Sequence, residues 1–278
     1  PVIDLMEGAG EAGAALVAAG PDMVVFTGST ATGRKVSVAC AQQGIPCECE
    51  LGGKDCAVVL DDADIERTAA GVAWGIVTNA GQNCAGIERV AVHRKVAERF
   101  TAALVKALQK AGSDVPGLVT PAQRTIVARH ISEAQEAGAT VKIGGLPDDD
   151  AQPIPPTLLT DVPRDASAWA DESFGPIAVL TVGEDDDDLI QIANDSRYGL
   201  GASVWGRNLE RAEAIATRLR TGMVWVNNHA FTGAVPDLPW VGVADSGTGV
   251  TNSPEALMHF TRPRLVVIDA AAAPEAWW

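Results

Sequence analysis

Four short stretches of this 278-residue chain combine residue types that can do chemistry. Cys84 ends Asn-Ala-Gly-Gln-Asn-Cys at 79–84, where polar turn residues meet a glycine. A cysteine in an accessible loop can be a nucleophile if its thiolate is assisted, whereas a structural cysteine more often lies among apolar neighbours. Glu50 leads Glu-Leu-Gly-Gly-Lys at 50–54. There a carboxylate is either a turn-forming surface acid or, beside a dry pocket, a general base. Gly-Ser-Thr-Ala-Thr-Gly at 28–33 sits between an expected strand and an expected helix. Its glycines would let backbone approach a pyrophosphate at a helix N-terminus. It is close to a Walker A loop, but that motif needs Lys and then Ser or Thr after the second glycine, and here Arg34 and Lys35 follow. No GxGxxG fingerprint follows any expected strand. Glu-Ser-Phe-Gly-Pro at 172–176 sets a carboxylate and an aromatic two residues apart. Glu172 can accept hydrogen bonds from ribose hydroxyls and Phe174 can pack on a flat ring; otherwise the stretch is a plain loop.

Metal chemistry finds little support. Cys47 and Cys49 are close in sequence, but no paired CxxC or nearby His accompanies them, and apolar packing is the better account. The acidic run at 185–188 lacks the spaced ligands of a hard-cation site and instead charges the start of a helix.

These residues must be positioned by an α/β scaffold with a largely parallel sheet, since strand-like and helix-like segments alternate. Strands are expected at 2–5, 23–26, 46–51, 89–92, 178–182, 223–227 and 264–269. Helices are expected within 7–20 and over 34–42. A third has Ile65, Ala69, Val72, Ala73, Ile76 and Val77 on one face, and a fourth has Val96, Phe100, Leu104, Ala107 and Leu108. Two more cover 189–194 and, capped by Asn208, the run through Leu219. Residues 144–156 read as loop, and the tail at 270–278 as a frayed end or docking tab.

Composition narrows the partners. With 21 basic and 36 acidic residues the net charge is −15, which repels phosphate backbones and excludes nucleic acid as an expected partner. No apolar run is long enough to cross a bilayer, and the first residues do not form a secretory signal. Five cysteines, an odd number, argue for a reducing compartment, and a cytoplasmic location is expected.

Taken together the motifs resemble the NAD(P)-dependent aldehyde dehydrogenase family. Glu-Leu-Gly-Gly-Lys at 50–54 is similar to the family's glutamate motif, and Gly-Gln-Asn-Cys at 81–84 to its cysteine motif, 34 residues further on. Phe-Thr-Gly-Ser at 26–29 with Gly33 resembles the coenzyme-phosphate turn, and 172–176 the nicotinamide-ribose motif. Stretches at 192–195, 198–200 and 224–227 also match, so the resemblance runs from about residue 2 to 269.

The resemblance implies an aldehyde-dehydrogenase-like α/β fold, with part of a Rossmann-type coenzyme domain and a parallel-sheet catalytic domain. Residues 1–51 would end the coenzyme domain, 52–245 form the catalytic domain, 246–262 return to the coenzyme side, and 263–278 supply an oligomerisation strand and tail. It implies oxidation of an aldehyde to a carboxylate with NAD or NADP: Cys84 as nucleophile, Glu50 as the base that activates water. Phe26, Gly28, Ser29, Gly33, Leu51, Glu172 and Phe174 would contact coenzyme; Asn83 and Trp240 would border the aldehyde. No metal is implied, and a homodimer or homotetramer is. Family members carry nearly as much sequence again before the residue matching Pro1, including an asparagine of the oxyanion hole and the adenosine-ribose contacts. The alternative is therefore a truncated, non-catalytic remnant or a partner-dependent subunit. A coenzyme-free thiol esterase using Cys84 and Glu50 is a third reading.

Overall fold

The computed structural model describes residues 2–112, 115–149 and 151–268. The expected tail at 270–278 and Asp269 lie outside the described residues.

Two sheets organise the chain. In the smaller, β1 (Val24–Thr27) and β2 (Cys47–Glu50) run parallel, and Gly247–Thr248 joins β2 antiparallel. α1 (Gly10–Ala18) precedes this sheet and α2 (Thr30–Gln43) connects its parallel strands. The larger sheet takes β3 (Asp55–Val59), β4 (Ile87–His93), β5 (Thr140–Ile143), β6 (Thr157–Thr160) and β7 (Ile177–Gly183). β8 (Tyr198–Gly199) stands apart, paired with Val243–Ala244, while β9 (Gly201–Trp205) and β10 (Met223–Val226) complete the seven strands. Their order is β10-β9-β3-β4-β7-β6-β5, all parallel except the β5–β6 pair.

Strand alternation divides the core. Ala57, Val59, Val90, Val92, Ala178 and Leu180 face α3 (Ile65–Val77) and α4 (Ala97–Ala111). Cys56, Val58, Ala91, Val179 and Val204 face the opposite layer. That layer is formed by α5 (Pro121–Glu136), α6 (Ser167–Ala170), α7 (Asp186–Asn194) and α8 (Leu209–Ala216). Helices on both faces are what a parallel sheet needs to bury both sides.

Local chemistry explains the helix starts. Ser29, Asp64, Asp185 and Asn208 each accept a backbone N–H three residues on, from Thr32, Arg67, Asp188 and Arg211 respectively. The acidic run thus caps α7, and Asp186 and Asp187 pair with Arg211 and Arg218.

Several expectations are corrected. α2 begins at Thr30 rather than residue 34, because Ser29 is the cap and Gly33 already lies in the first turn. Residues 2–5 form no strand, and Val2, Ile3 and Leu5 are exposed. Residues 264–268 likewise form no strand, although Leu265, Val266, Val267 and Ile268 are apolar. An extended segment becomes a strand only where another backbone edge pairs with it. Strands β3, β5, β6 and β9 and helices α5 and α6 were not expected from the sequence pattern.

Candidate active site

β2 carries Glu50 to the mouth of a cleft of about 560 Å³. From the other side, α3 ends and the backbone turns through Asn79 and Ala80, both left-handed at φ 53° and 56°. Gly81 follows at φ +70°, so close to the 172–176 loop that a Cβ would lie 2.1 Å from the Gly175 carbonyl oxygen; only glycine fits. This tight turn brings Cys84 into the same cleft. Cys84 Sγ lies 3.5 Å from Glu50 Oε1, within reach for a thiol donor, and 3.7 Å from Asn83 Oδ1.

The surroundings do not favour a free thiolate. Burial pushes the Cys84 thiol up to about 12, with the negative charges of Glu50 and Asp55 adding to it. The side chain enters this site as a thiol, with Glu50 in place to receive its proton.

Gly28, Ser29, Leu51, Asn83, Glu172 and Phe174 also line the cleft. Glu172 lies on the Cα of Gly52, where a Cβ would be 2.0 Å from Oε2, and accepts the Gly53 N–H at 3.1 Å. Burial, then the nearby Glu88 carboxylate, pushes Glu172 up to about 7. The donor set fits a nicotinamide nucleotide: a carboxylate for a ribose diol, an aromatic ring, and Ser29 at the N-terminus of α2 for a phosphate.

Three expected residues stand off. The Phe26 ring folds over Gly28, within 2.6 Å of where a Cβ would be, and does not line the cleft. Gly33 faces Leu51 and makes room for it. Trp240 packs behind Cys84 in a cluster with Ala85, Leu200, Met223 and Trp225. Sequence reasoning also missed cleft residues Thr27, Gly52, Asn79, Gln82 and Gln123. It missed a buried support too: His229 lies 2.6 Å from the Ala85 carbonyl and 4.0 Å from Asp55. Burial pushes His229 down to about 4 and Asp55 up to about 8. The available signal was a charged residue inside an otherwise apolar run.

The family model for the aldehyde dehydrogenase family matches residues 1–266. The chain belongs to the aldehyde dehydrogenase family. Its sequence is 34% identical to the chloroplastic aminoaldehyde dehydrogenase of Arabidopsis thaliana over 100% of this chain and 58% of that protein. It is 36% identical to 4,4'-diapolycopene aldehyde oxidase of Methylomonas sp over 92% of this chain and 49% of that protein. Among solved structures, the putative aldehyde dehydrogenase PutA of Anabaena variabilis superposes with a TM-score of 0.91 at 32% identity, covering 98% of this chain and 60% of that one. A betaine aldehyde dehydrogenase of Staphylococcus aureus, solved with NAD+, gives 0.85 at 29% identity, covering 93% and 57%. The chain thus spans under two thirds of the length of these relatives.

Proposed function

We propose that this chain carries the chemical site of an NAD(P)-dependent oxidation of an aldehyde to a carboxylate. The carrying observation is the 3.5 Å approach of Cys84 Sγ to Glu50 Oε1 on a cleft that also holds Glu172, Phe174 and Ser29. Family membership and the NAD+ complex of a similar structure support it.

Cys84 gives its thiol proton to Glu50 and adds through sulfur to the aldehyde carbon, forming a thiohemiacetal. The nicotinamide ring, when bound, supplies the acceptor for the hydride whose loss leaves a thioester on Cys84. Glu50, having shed its first proton to solvent, takes one from water as that water attacks the thioester. The C–S bond breaks, the Cys84 sulfur takes back the proton held by Glu50, and the product acid loses its remaining proton to solvent and leaves as the carboxylate. Glu172 would hold the nicotinamide ribose, Phe174 would pack at the ring, and Gly28, Ser29 and Leu51 would line the coenzyme path. Asn83 would border the aldehyde, and Trp240 would back it from behind Cys84.

The same proposal covers the domain limits 1–51, 52–245, 246–262 and 263–278, with the exposed apolar residues 265–268 as a contact between copies in a homo-oligomer. A cytoplasmic location suits the free cysteines. Among the described residues no helix is long and apolar enough to cross a membrane.

The test is aldehyde-dependent NADH formation with mass spectrometry of Cys84. Wild-type protein should turn over, Cys84→Ala should not, and Glu50→Gln should trap acyl-enzyme and lose about 10²–10⁴ in turnover. Unimpaired NADH formation in Cys84→Ala would end the proposal.

A further inference from the structure

Residues 171–176 carry Glu172 and Phe174 without belonging to a helix or strand. Phe174 is held at φ +48°, which bulky side chains avoid, so its surroundings must impose it. The Glu88 carboxylate reaches this turn from β4. Its Oε1 accepts the Phe174 N–H at 2.8 Å and the Ser173 N–H at 3.0 Å. Its Oε2 accepts the Ser173 N–H at 2.8 Å and Lys54 Nζ at 2.5 Å. Ser173 is tied down at its remaining polar atoms as well. Gln123 Nε2 donates to its carbonyl at 2.6 Å, Lys54 Nζ donates to its Oγ at 3.2 Å, and His130 Nδ1 lies 3.0 Å from that Oγ. Lys54, Glu88, Ser173 and His130 are each at most 3% exposed. A buried ion pair rarely beats an apolar pair in net stability, because both ions give up hydration. Stability alone is therefore a poor account of this one.

We infer that Glu88, paired with Lys54, is a positioning residue for coenzyme binding: it fixes the backbone of 173–174 so that Glu172 and Phe174 present themselves to the cleft beside Cys84. This rests on the nicotinamide-coenzyme reading above. Glu88 lies outside the cleft lining and acts through the two amides it holds. A glutamine there keeps one acceptor oxygen, loses at least one of those amide bonds, and turns an NH₂ toward the Lys54 ammonium.

The test compares Glu88→Gln with Lys54→Met/Glu88→Gln, the double variant removing the cation that the single one leaves unpaired. Amide exchange is measured on the ligand-free protein, and coenzyme kinetics on the same samples. The Ser173 and Phe174 amides should exchange at least about tenfold faster in both variants, with β4 amides unchanged. The coenzyme KM should rise about tenfold while kcat at saturating coenzyme falls less than about threefold. The pH profile adds a readout that simple loosening would not move. Glu172 faces Glu88 and Asp55 on the acidic side, Lys54 and Arg197 on the basic side, and Tyr198, which Asp171 also approaches. Removing the Glu88 charge favours ionised Glu172, so the acid limb of the coenzyme KM should move to lower pH in Glu88→Gln. Fully protected amides in both variants would overturn the proposal, as would exposed amides with an unchanged coenzyme KM. A wild-type protein that takes up no coenzyme would fail the underlying reading instead, and shows itself before any variant is made.

Discussion

Between Glu50, the last residue of β2, and Asp55, the first of β3, the chain passes from a sheet that water reaches to one whose central strands it does not. β3 is buried at all five residues, as are β4 and β9 along their whole length. β2 is fully buried only at Cys49, and in β1 Val25 and Thr27 are exposed. Paired strands under helices on both faces are rigid because opening them exposes apolar area on two sides. The smaller sheet lacks that cover among the described residues. The thiol is therefore anchored in the tighter body and the carboxylate on the looser sheet, and their spacing depends on the seam between them. Ser246 staples that seam: its Oγ donates to the Gly52 carbonyl at 2.7 Å and accepts the Gly199 N–H at 3.0 Å.

This contrast can be broken first at the tight side. Gly81→Ala should cost roughly 3 kcal/mol or more, because a Cβ there meets backbone and the φ is left-handed. Urea unfolding measures the loss; an unshifted midpoint would mean the cysteine turn is as forgiving as the smaller sheet. Next comes the staple. Ser246→Ala leaves two buried backbone groups without their partner and should cost about 2 kcal/mol. Faster amide exchange in β2 but not in β3 would locate the damage on the looser side, whereas equal acceleration in both would dissolve the distinction.

The smallest effect belongs to the solvent face of the body. Arg211 joins Asp61 at 2.7 Å and Asp186 at 2.5 Å, all three partly exposed, so Arg211→Met should cost no more than about 1 kcal/mol at pH 7. Its hydrogen bond from Arg211, then that from Lys95, holds the Asp61 carboxyl well below the usual carboxylate range. A depressed folded-state pKa contributes stability above the ordinary carboxylate value and loses it as pH falls toward the depressed one. The gap between variant and wild type should accordingly shrink between about pH 5 and pH 2, as paired unfolding curves would show. A gap that widens on acidification would mean that Arg211 acts through packing rather than charge.

Legibility followed the same division. Helices α3, α4 and α8 were readable because one face meets water, leaving a one-sided apolar stripe that marks their turns. Strands β3, β6 and β9 were not. With both faces covered they show no alternation, and Asp55, Thr157 and Ser203 interrupt their apolar character. α5 buries only Val127, His130, Ile131 and Ala134, too faint a stripe to read. At the site, Cys84, Glu50, Glu172, Phe174, Ser29, Gly28, Leu51 and Asn83 stand in recognisable local motifs and line one cleft. Phe26, Gly33 and Trp240 stand in equally recognisable motifs but face elsewhere, since a motif fixes neighbours along the chain and not the direction of a side chain.

Residue order alone determined the family, the parallel α/β character, the Asn208 cap and the chemical types available for reaction. All of these depend on spacing along the chain or on groups a few residues apart. Folding alone decided that Glu50 meets Cys84 across 34 residues of sequence and that Glu88 grips a turn 85 residues away. It also decided that burial keeps the Cys84 thiol protonated. Distances between remote side chains, and the water excluded around them, come into being only when the sheets close.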